Sequence, residues 1–399
     1  MTQAVASVMR RRTAALALAL GMGFMTGTAG ALTLTLTLTV RKAGEPETVT
    51  SWQRDACAKS DAPDTPARAF RDAGGTVHLI ASHSTARALT GPALDSVRPN
   101  CAVIFQGHGQ DDPRLHDDRS WISSFYTLDG STVFALVSNE FHAQKRRALC
   151  PSGDYMRCWR NSITAAVSTD GGASFRLSAA PPDHTVATLP YAYSGDAGKR
   201  TGYFAPSNIV RHGDHWYAFL WAERFGAQKR GACLMRTDNL ADPQSWRGWD
   251  GKSFTVRFVR DGQTADAPEV HLCAPVAPDT LQGTVRSIVR HRASGQFIAT
   301  LAMTRDGQTG MWTTSSPDLL NWSKPQLLWE APLLFRYGCG DAAAFDYPAL
   351  LDPGSRSRNF EDVGGTAYLY MTRLNLTGCK ITWNRDLVRM PVEISAPRP

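Results

Sequence analysis

Asp64 in DTPAR, Asp117 and Asp118 in HDDRSW, and Asp346 in FDYPALL each stand just before an apolar, strand-like stretch. His83, Glu140, Glu223, Arg305 and Arg373 each stand just after another, and Arg68 and Arg286 lie inside such stretches. Cleaving a glycosidic bond needs this kind of set: one carboxylic acid protonates the leaving oxygen and a second carboxylate acts as base or nucleophile. Crowding carboxylates in a partly buried mouth raises at least one pKa, which keeps an acid protonated near neutrality. Trp121, Tyr126, Tyr203, Phe204 and Trp221 offer flat faces for sugar rings nearby. Plainer explanations exist for each residue. Asp before a strand forms turns, Trp and Tyr in strands pack cores, and Asp117 or Asp118 can pair with Arg119.

One recurring segment sets these positions. GTVHLIASH from Gly75, GSTVFALVSNE from Gly130, GDHWYAFLWAE from Gly213, GQFIATLAMTR from Gly295 and GTAYLYMTR from Gly365 start 55, 83, 82 and 70 residues apart. Each opens with Gly, as at a turn, and continues with β-branched, aromatic and aliphatic residues, the composition of a buried strand. Five strand-built units of this size predict an all-β chain folded as a five-bladed β-propeller. The Gly-led segments read as second strands. The inner strands precede them, over Ala67–Phe70, Trp121–Tyr126, Tyr203–Val210, Thr284–Val289 and Tyr347–Leu351. Because the strands alternate in direction, inner-strand starts and second-strand ends share one face, which gathers the acids at one mouth. A second element recurs in phase: STDGGASF (Ser168–Phe175), RTDNLADPQSW (Arg236–Trp246) and SSPDLLNWSKP (Ser315–Pro325) pair a small polar residue and Asp with a later aromatic. The fifth unit has only a weak counterpart, around Thr382–Asp386.

The 399 residues contain no Pro/Ser/Gly-rich linker, so one large domain is expected over 61–399, preceded by a segment at 32–60. Residues 1–31 read as a secretory signal: Arg10–Arg12, an uncharged stretch from Thr13 to Gly30, and small residues at Ala29–Ala31. LTLTLTLTV (Leu32–Val40) lengthens the uncharged run enough for a membrane anchor, but Thr at every second position makes a poor lipid-facing helix. A secreted or periplasmic protein with no membrane association after cleavage is the expectation. Removing the signal lowers the net charge from +7 by three arginines to +4, which is mild, and no basic run carries interleaved aromatics, so nucleic acid is excluded as a partner. Eight scattered cysteines without a CxxC pair predict disulfides rather than zinc, with Cys150 and Cys158 spaced to close a short loop. No oligomeric state follows from the sequence.

YFAPSNIVRHGDHWYAFLWA (Tyr203–Ala222) resembles the W-A-P-E-I…G-K-Y-Y-L-Y-Y-S pattern of the five-bladed propeller glycosidases, the arabinanase–xylosidase–invertase clan. SSPDLLNWSKP resembles their S-x-D-L-x-N-W segment, and STDGGASF matches the sialidase Asp-box at Ser168, Asp170, Gly172 and Phe175. The likeness spreads over most of the chain after Asp61 as scattered motifs. It implies a blade-one Asp as base or nucleophile, a second Asp that tunes it and a Glu as acid. By position Asp64 resembles the first and Asp118 the second, while Glu140 and Glu223 compete for the third. Ser207 stands where the clan has its W-A-P-E Glu, and no E-G-P element is present. The candidate catalytic set is therefore Asp64, Asp118, Glu140 and Glu223. The candidate substrate-binding set is Arg68, His83, Trp121, Tyr203, Asn208, Arg305, Asp346 and Arg373.

The leading expectation is a secreted glycoside hydrolase acting on a polysaccharide or oligosaccharide. It requires no cofactor; a Ca2+ ion in the central channel is tolerated, and no metal ligands are assigned. Three readings compete with it. A non-catalytic carbohydrate-binding or cell-surface propeller needs no carboxylate pair. A sialidase-like enzyme would grip a substrate carboxylate with Arg68, Arg305 and Arg373. A lyase or phosphodiester-acting propeller would use His83, His142 and His271. Specificity would come from loops around the mouth, notably Phe141–Arg160 and Phe258–Asp279.

Overall fold

The computed structural model describes residues 37–260 and 264–396. The expected signal segment lies outside the described residues. Five antiparallel blades follow one another along the chain, the second and third joined into one sheet by a short parallel pairing. Blade one is Arg68–Arg71, Val77–Ile80, Thr85–Gly91 and Arg98–Gln106. Blade two is Arg119–Thr127, Val133–His142 and Trp159–Ser168, with two short outer strands, Arg176–Leu177 and Thr185–Ala187. Blade three has a broken inner strand, Thr201–Phe204 and Val210–His212, then His215–Ala222, Gly231–Thr237, Arg247–Trp249 and Phe254–Val256. Blade four is Val285–His291, Phe297–Arg305, Gln308–Ser316 and Gln326–Glu330. Blade five is Ala343–Leu351, Thr366–Thr377 and Lys380–Ser395.

All five expected second strands are present. Gly75, Gly130, Gly213 and Gly295 turn into theirs with φ between 59° and 88°, a region open to glycine at no steric cost. The expected inner strand Tyr203–Val210 is interrupted instead, with Ala205 at φ 44°.

Residues 39–50, set before the propeller by the expected boundary at 61, belong to the fifth blade. Thr39–Lys42 forms its outer strand, pairing Thr39 with Ser395 and Lys42 with Val392, and Glu47–Thr50 pairs with Leu387–Arg389. Leu38 and Val40 point into the core. The alternating Leu/Thr run thus ends as a period-two strand, not as the tail of a spanning helix. No helix among the described residues is long and apolar enough to cross a membrane.

The strands are apolar on both faces because each blade is packed between two others. Along the second strand of blade two, Val133, Ala135 and Val137 pack with blade one, while Leu136 packs with blade three. Phe219 packs with blade four, and its neighbours Ala218 and Leu220 pack with blade two. Leu369 and Met371 face blade four, while Tyr370 faces blade one. Five apolar clusters thus lie at the five blade–blade interfaces and close a ring. Gly202, at φ 111°, pairs in parallel with blade two; a Cβ there would sit 2.0 Å from the Asn161 carbonyl.

The three recurring turns follow the third strands of blades two, three and four. Ser168, Thr237 and Ser316 end those strands, and each hydroxyl accepts an N–H within its turn. Asp170 accepts from the Ser168 and Ser174 hydroxyls and the Ser174 N–H; against the upward push of burial, these bonds hold its carboxyl down at about 2. The strand register places Ser168 opposite Val133, at the end of the blade away from Glu140, so this turn is remote from the mouth.

At that far end the segment 352–364 of blade five reaches all the others. Arg71 of blade one donates to the Ser355 and Ser357 carbonyls, and Asn359 bonds both backbone groups of Thr127 in blade two. Glu361 accepts from the Arg211 N–H of blade three and the Tyr126 hydroxyl, and Arg290 of blade four donates to its carbonyl. Burial pushes the Glu361 carboxyl upward, against its hydrogen bonds. The folded chain therefore holds this proton more tightly than the unfolded chain, and stability falls as pH rises through that range. Glu361→Gln keeps an acceptor for Arg211 and removes the buried charge. Its melting temperature should exceed that of the parent at pH 7.5, with the difference shrinking towards pH 4; equal melting at both pH values would show that Glu361 imposes no charge penalty.

Candidate active site

The Asp64 carboxylate is where three blades converge. One oxygen accepts from the Tyr347 hydroxyl at 3.1 Å and from Arg385, both of blade five. The other accepts from the Trp121 indole of blade two at 3.1 Å and lies 3.4 Å from His83 Nε2 of blade one. Tyr347 reaches it through a bulge between Asp346 and Ala349, with Tyr347 itself at φ 62°. A left-handed backbone at a bulky aromatic is costly and clusters where geometry is imposed by function. Burial, with Asp64 and Asp346 adding to it, pushes the Tyr347 phenol well up, so its hydroxyl stays a donor. Burial pulls the His83 imidazole down despite Asp64.

Glu140 lies two residues before the end of the second strand of blade two, opposite Arg119. Its carboxylate sits 2.9 Å from His142 Nε2. This contact serves either protonation state: the carboxylate accepts from an N–H, and the acid donates to a bare nitrogen. His142, Tyr155 and Trp159 pack as a triangle of rings, with centroids 5.0 Å (His142–Tyr155), 4.9 Å (His142–Trp159) and 5.1 Å (Tyr155–Trp159) apart. Tyr155 lies in the loop closed by the Cys150–Cys158 disulfide and is 44% exposed. Burial and the negative charge of Glu140 push its phenol up to about 12, with Asp64 adding to the push and Arg119 and Arg200 opposing it. Trp121, bonded to Asp64, stands two residues along its strand from Arg119, the cross-strand partner of Glu140, so both carboxylates lie at one end of blade two.

Other members of the expected set have structural duties. Asp118 accepts from both terminal nitrogens of Arg146 and from the His142 N–H, fixing the disulfide loop, and Asp117 holds His108 rather than Arg119. Glu223 is 5% exposed and clamped by Arg200 and Arg230. Asp346 pairs with Arg286 at 3.1 Å. Arg68 is buried in the central channel, donating to the carbonyls of Ala67, Ser123 and Arg286, and burial pulls its guanidinium down to about 9. Arg305 donates to the Asp279 carbonyl and Arg373 to Asp386. The three arginines of the sialidase-like reading therefore spend their donors on separate partners.

Tyr203 is fully buried, bonded to Gln228, and Tyr126 lies at the far end on Glu361; neither can stack on a ligand at the mouth. Asn208 ties blade three to blade four through both backbone groups of Ile288. Ser207, at the clan's Glu position, is buried and bonds Phe219 and Asn208. His271 is bonded to the Arg257 carbonyl.

The channel does not fit a Ca2+ ion well. Its carbonyls already accept from the Arg68 cation, and no three His, Cys, Asp or Glu side chains among the described residues form a metal-holding group. All eight cysteines are paired: Cys57–Cys101, Cys150–Cys158, Cys233–Cys273 and Cys339–Cys379.

Sequence reasoning missed Tyr155, Trp159, Trp383 and Arg385. Third strands start at the same end where second strands finish, so Trp159 and the Lys380–Arg385 stretch were reachable by the same topological rule. Trp383 packs at a tilt on His83, centroids 4.9 Å apart, beside Asp64. Removing one donor from the Asp64 cradle tests its weight. Tyr347→Phe should lower unfolding free energy by about 1 kcal/mol, read from urea denaturation; an unchanged midpoint would mean that Arg385 alone satisfies that oxygen.

No family model matches the chain, and no curated protein is similar to it. Solved structures are similar in fold. A family 117 glycoside hydrolase from the marine bacterium Zobellia galactanivorans aligns with 90% of this chain and 91% of its own at 10% identity and a TM-score of 0.49. The α-L-arabinanase of Cellvibrio cellulosa, solved with arabinohexaose, aligns over 82% and 91% at 10% identity, TM-score 0.44. An exo-β-1,3-galactanase from Phanerochaete chrysosporium aligns over 87% and 64% at 12% identity, TM-score 0.47.

Proposed function

We propose that this chain is a secreted or periplasmic glycoside hydrolase that cuts a polysaccharide or oligosaccharide at the Asp64 mouth. The observation that carries the reading is the Asp64 carboxylate, oriented by side chains of three blades, with half-buried Trp383 and exposed Tyr155 at the same mouth. Asp64 acts as base or nucleophile. Its donors fix the carboxylate's direction before substrate arrives, which is the preorganisation that acid–base chemistry rewards. Glu140 acts as the acid. A general acid must keep its proton, and a guanidinium partner favours losing it. Asp64, Asp118, Glu223 and Asp346 all carry arginine partners, whereas Glu140 contacts His142. Tyr155, Trp159 and Trp383 provide platforms for sugar rings. Four disulfides suit an oxidising compartment.

One observation favours a second reading. Four donors on Asp64 leave it little free acceptor capacity, as in a structural hub beneath a non-catalytic carbohydrate-binding face. Reducing-sugar release from a polysaccharide panel separates the two. Asp64→Asn and Glu140→Gln, each verified as folded, should each lower kcat/KM by ~10²–10⁴-fold, whereas Glu223→Gln should act mainly on stability. Glycan binding with no release by the parent protein would establish the binding reading instead.

A further inference from the structure

The mouth has more positive charge than its own acids neutralise. Each carboxylate there already has a cationic or imidazole partner, and guanidiniums are left over. Arg68 is one, but it is buried in the channel with its donors on carbonyls. Arg119 is another. Its side chain is exposed and makes no ion pair or hydrogen bond among the described residues, although Glu140 sits directly across the strand pair. Glu140 turns to His142 instead.

Arg119 stands two residues before Trp121 on the inner strand of blade two, and side chains two apart share one face. Trp121 points at Asp64, so Arg119 lines the same wall, roughly 7 Å along the strand. It thus stands across from Glu140, on the wall that Trp121 shares with Asp64. Tyr155, packed on the His142 that Glu140 contacts, supplies an exposed ring face at the same end of the blade. A flat hydroxylated ring that also carries a planar anion answers both features, and a carboxylate matches the guanidinium fork in bidentate geometry.

We propose that the mouth selects an acidic sugar, a uronate-bearing glycan, with Arg119 binding the ring carboxylate. This inference rests on the glycan-cleaving reading for its substrate class, and it names a specificity residue that the reading itself does not need. The carboxylate takes two hydrogen bonds from Arg119 while the ring lies on Tyr155, which brings the neighbouring glycosidic oxygen towards Asp64 and Glu140.

The test is calorimetric binding of oligogalacturonate, oligomannuronate and glucuronoxylan fragments to the full chain. Carboxyl-reduced counterparts, a sulfated oligosaccharide and a neutral arabino-oligosaccharide serve as comparators, and product release is measured in parallel. At least one uronate should bind tenfold or more tightly than its carboxyl-reduced form. Arg119→Gln should melt like the parent yet lose that preference, with Arg119→Lys recovering part of it. Equal affinity for acidic and reduced forms, an Arg119→Gln variant that keeps the preference, or tighter binding of the sulfated chain would each overturn the assignment. Release from a neutral glycan without acidic preference would overturn it and leave the hydrolase reading standing. Uronate preference without release would uphold it and remove the hydrolase reading.

Discussion

A sheet with two apolar faces has no side it can show to water, and that constraint governs this molecule. Each blade buries one face against its predecessor and the other against its successor. The only arrangement that satisfies every blade is a closed ring, so the last sheet must meet the first. The contacts of Leu79 and Ala69 with Tyr370 and Leu387 are that meeting. The far-end segment 352–364 then adds polar ties to all the other blades, replacing solvent at backbone groups that the ring would otherwise bury unpaired.

Closing a ring of two-sided sheets leaves an axis lined by inner strands, and the polar groups concentrate there. Arg68, Asn208 and Ser287 stitch neighbouring or facing blades through main-chain groups. The mouth inherits the same geometry. Because strand ends from different blades meet at the axis, a single carboxylate such as Asp64 can be addressed by side chains of blades one, two and five. The site is thus a product of ring closure, not of any one loop, and its charge balance is set residue by residue where the blades converge.

The ring was legible from Gly-led strands because burial on both faces produces near-continuous apolar runs, and the phase of the Ser/Asp turns after each third strand repeats that unit. Asp64, His83, Trp121 and Glu140 were legible because strand direction alone assigns them to one end. Other positions were not. Tyr203 and Arg68 stand at suitable points but their side chains turn inward, which strand order cannot reveal. Asp118 and Glu223 stand at the correct end, yet their partners Arg146, Arg200 and Arg230 lie in loops or on other strands with no readable pattern. Tyr347 reaches Asp64 only through a bulge. The boundary at residue 61 missed the sheet contribution of Thr39–Lys42 because a strand pairing across almost the whole chain leaves no local signal.

That outer strand has a kinetic meaning. Thr39 finds its place only when Ser395 is available, so the most distant pairing along the described chain completes the last blade. Contacts of such long sequence separation form late, because the entropy of closing the intervening loop is spent before any contact repays it. A chain emerging in order from one end therefore holds its earliest strand in waiting through the growth of four blades. Until that far end arrives, such a chain has neither a complete fifth blade nor a closed ring.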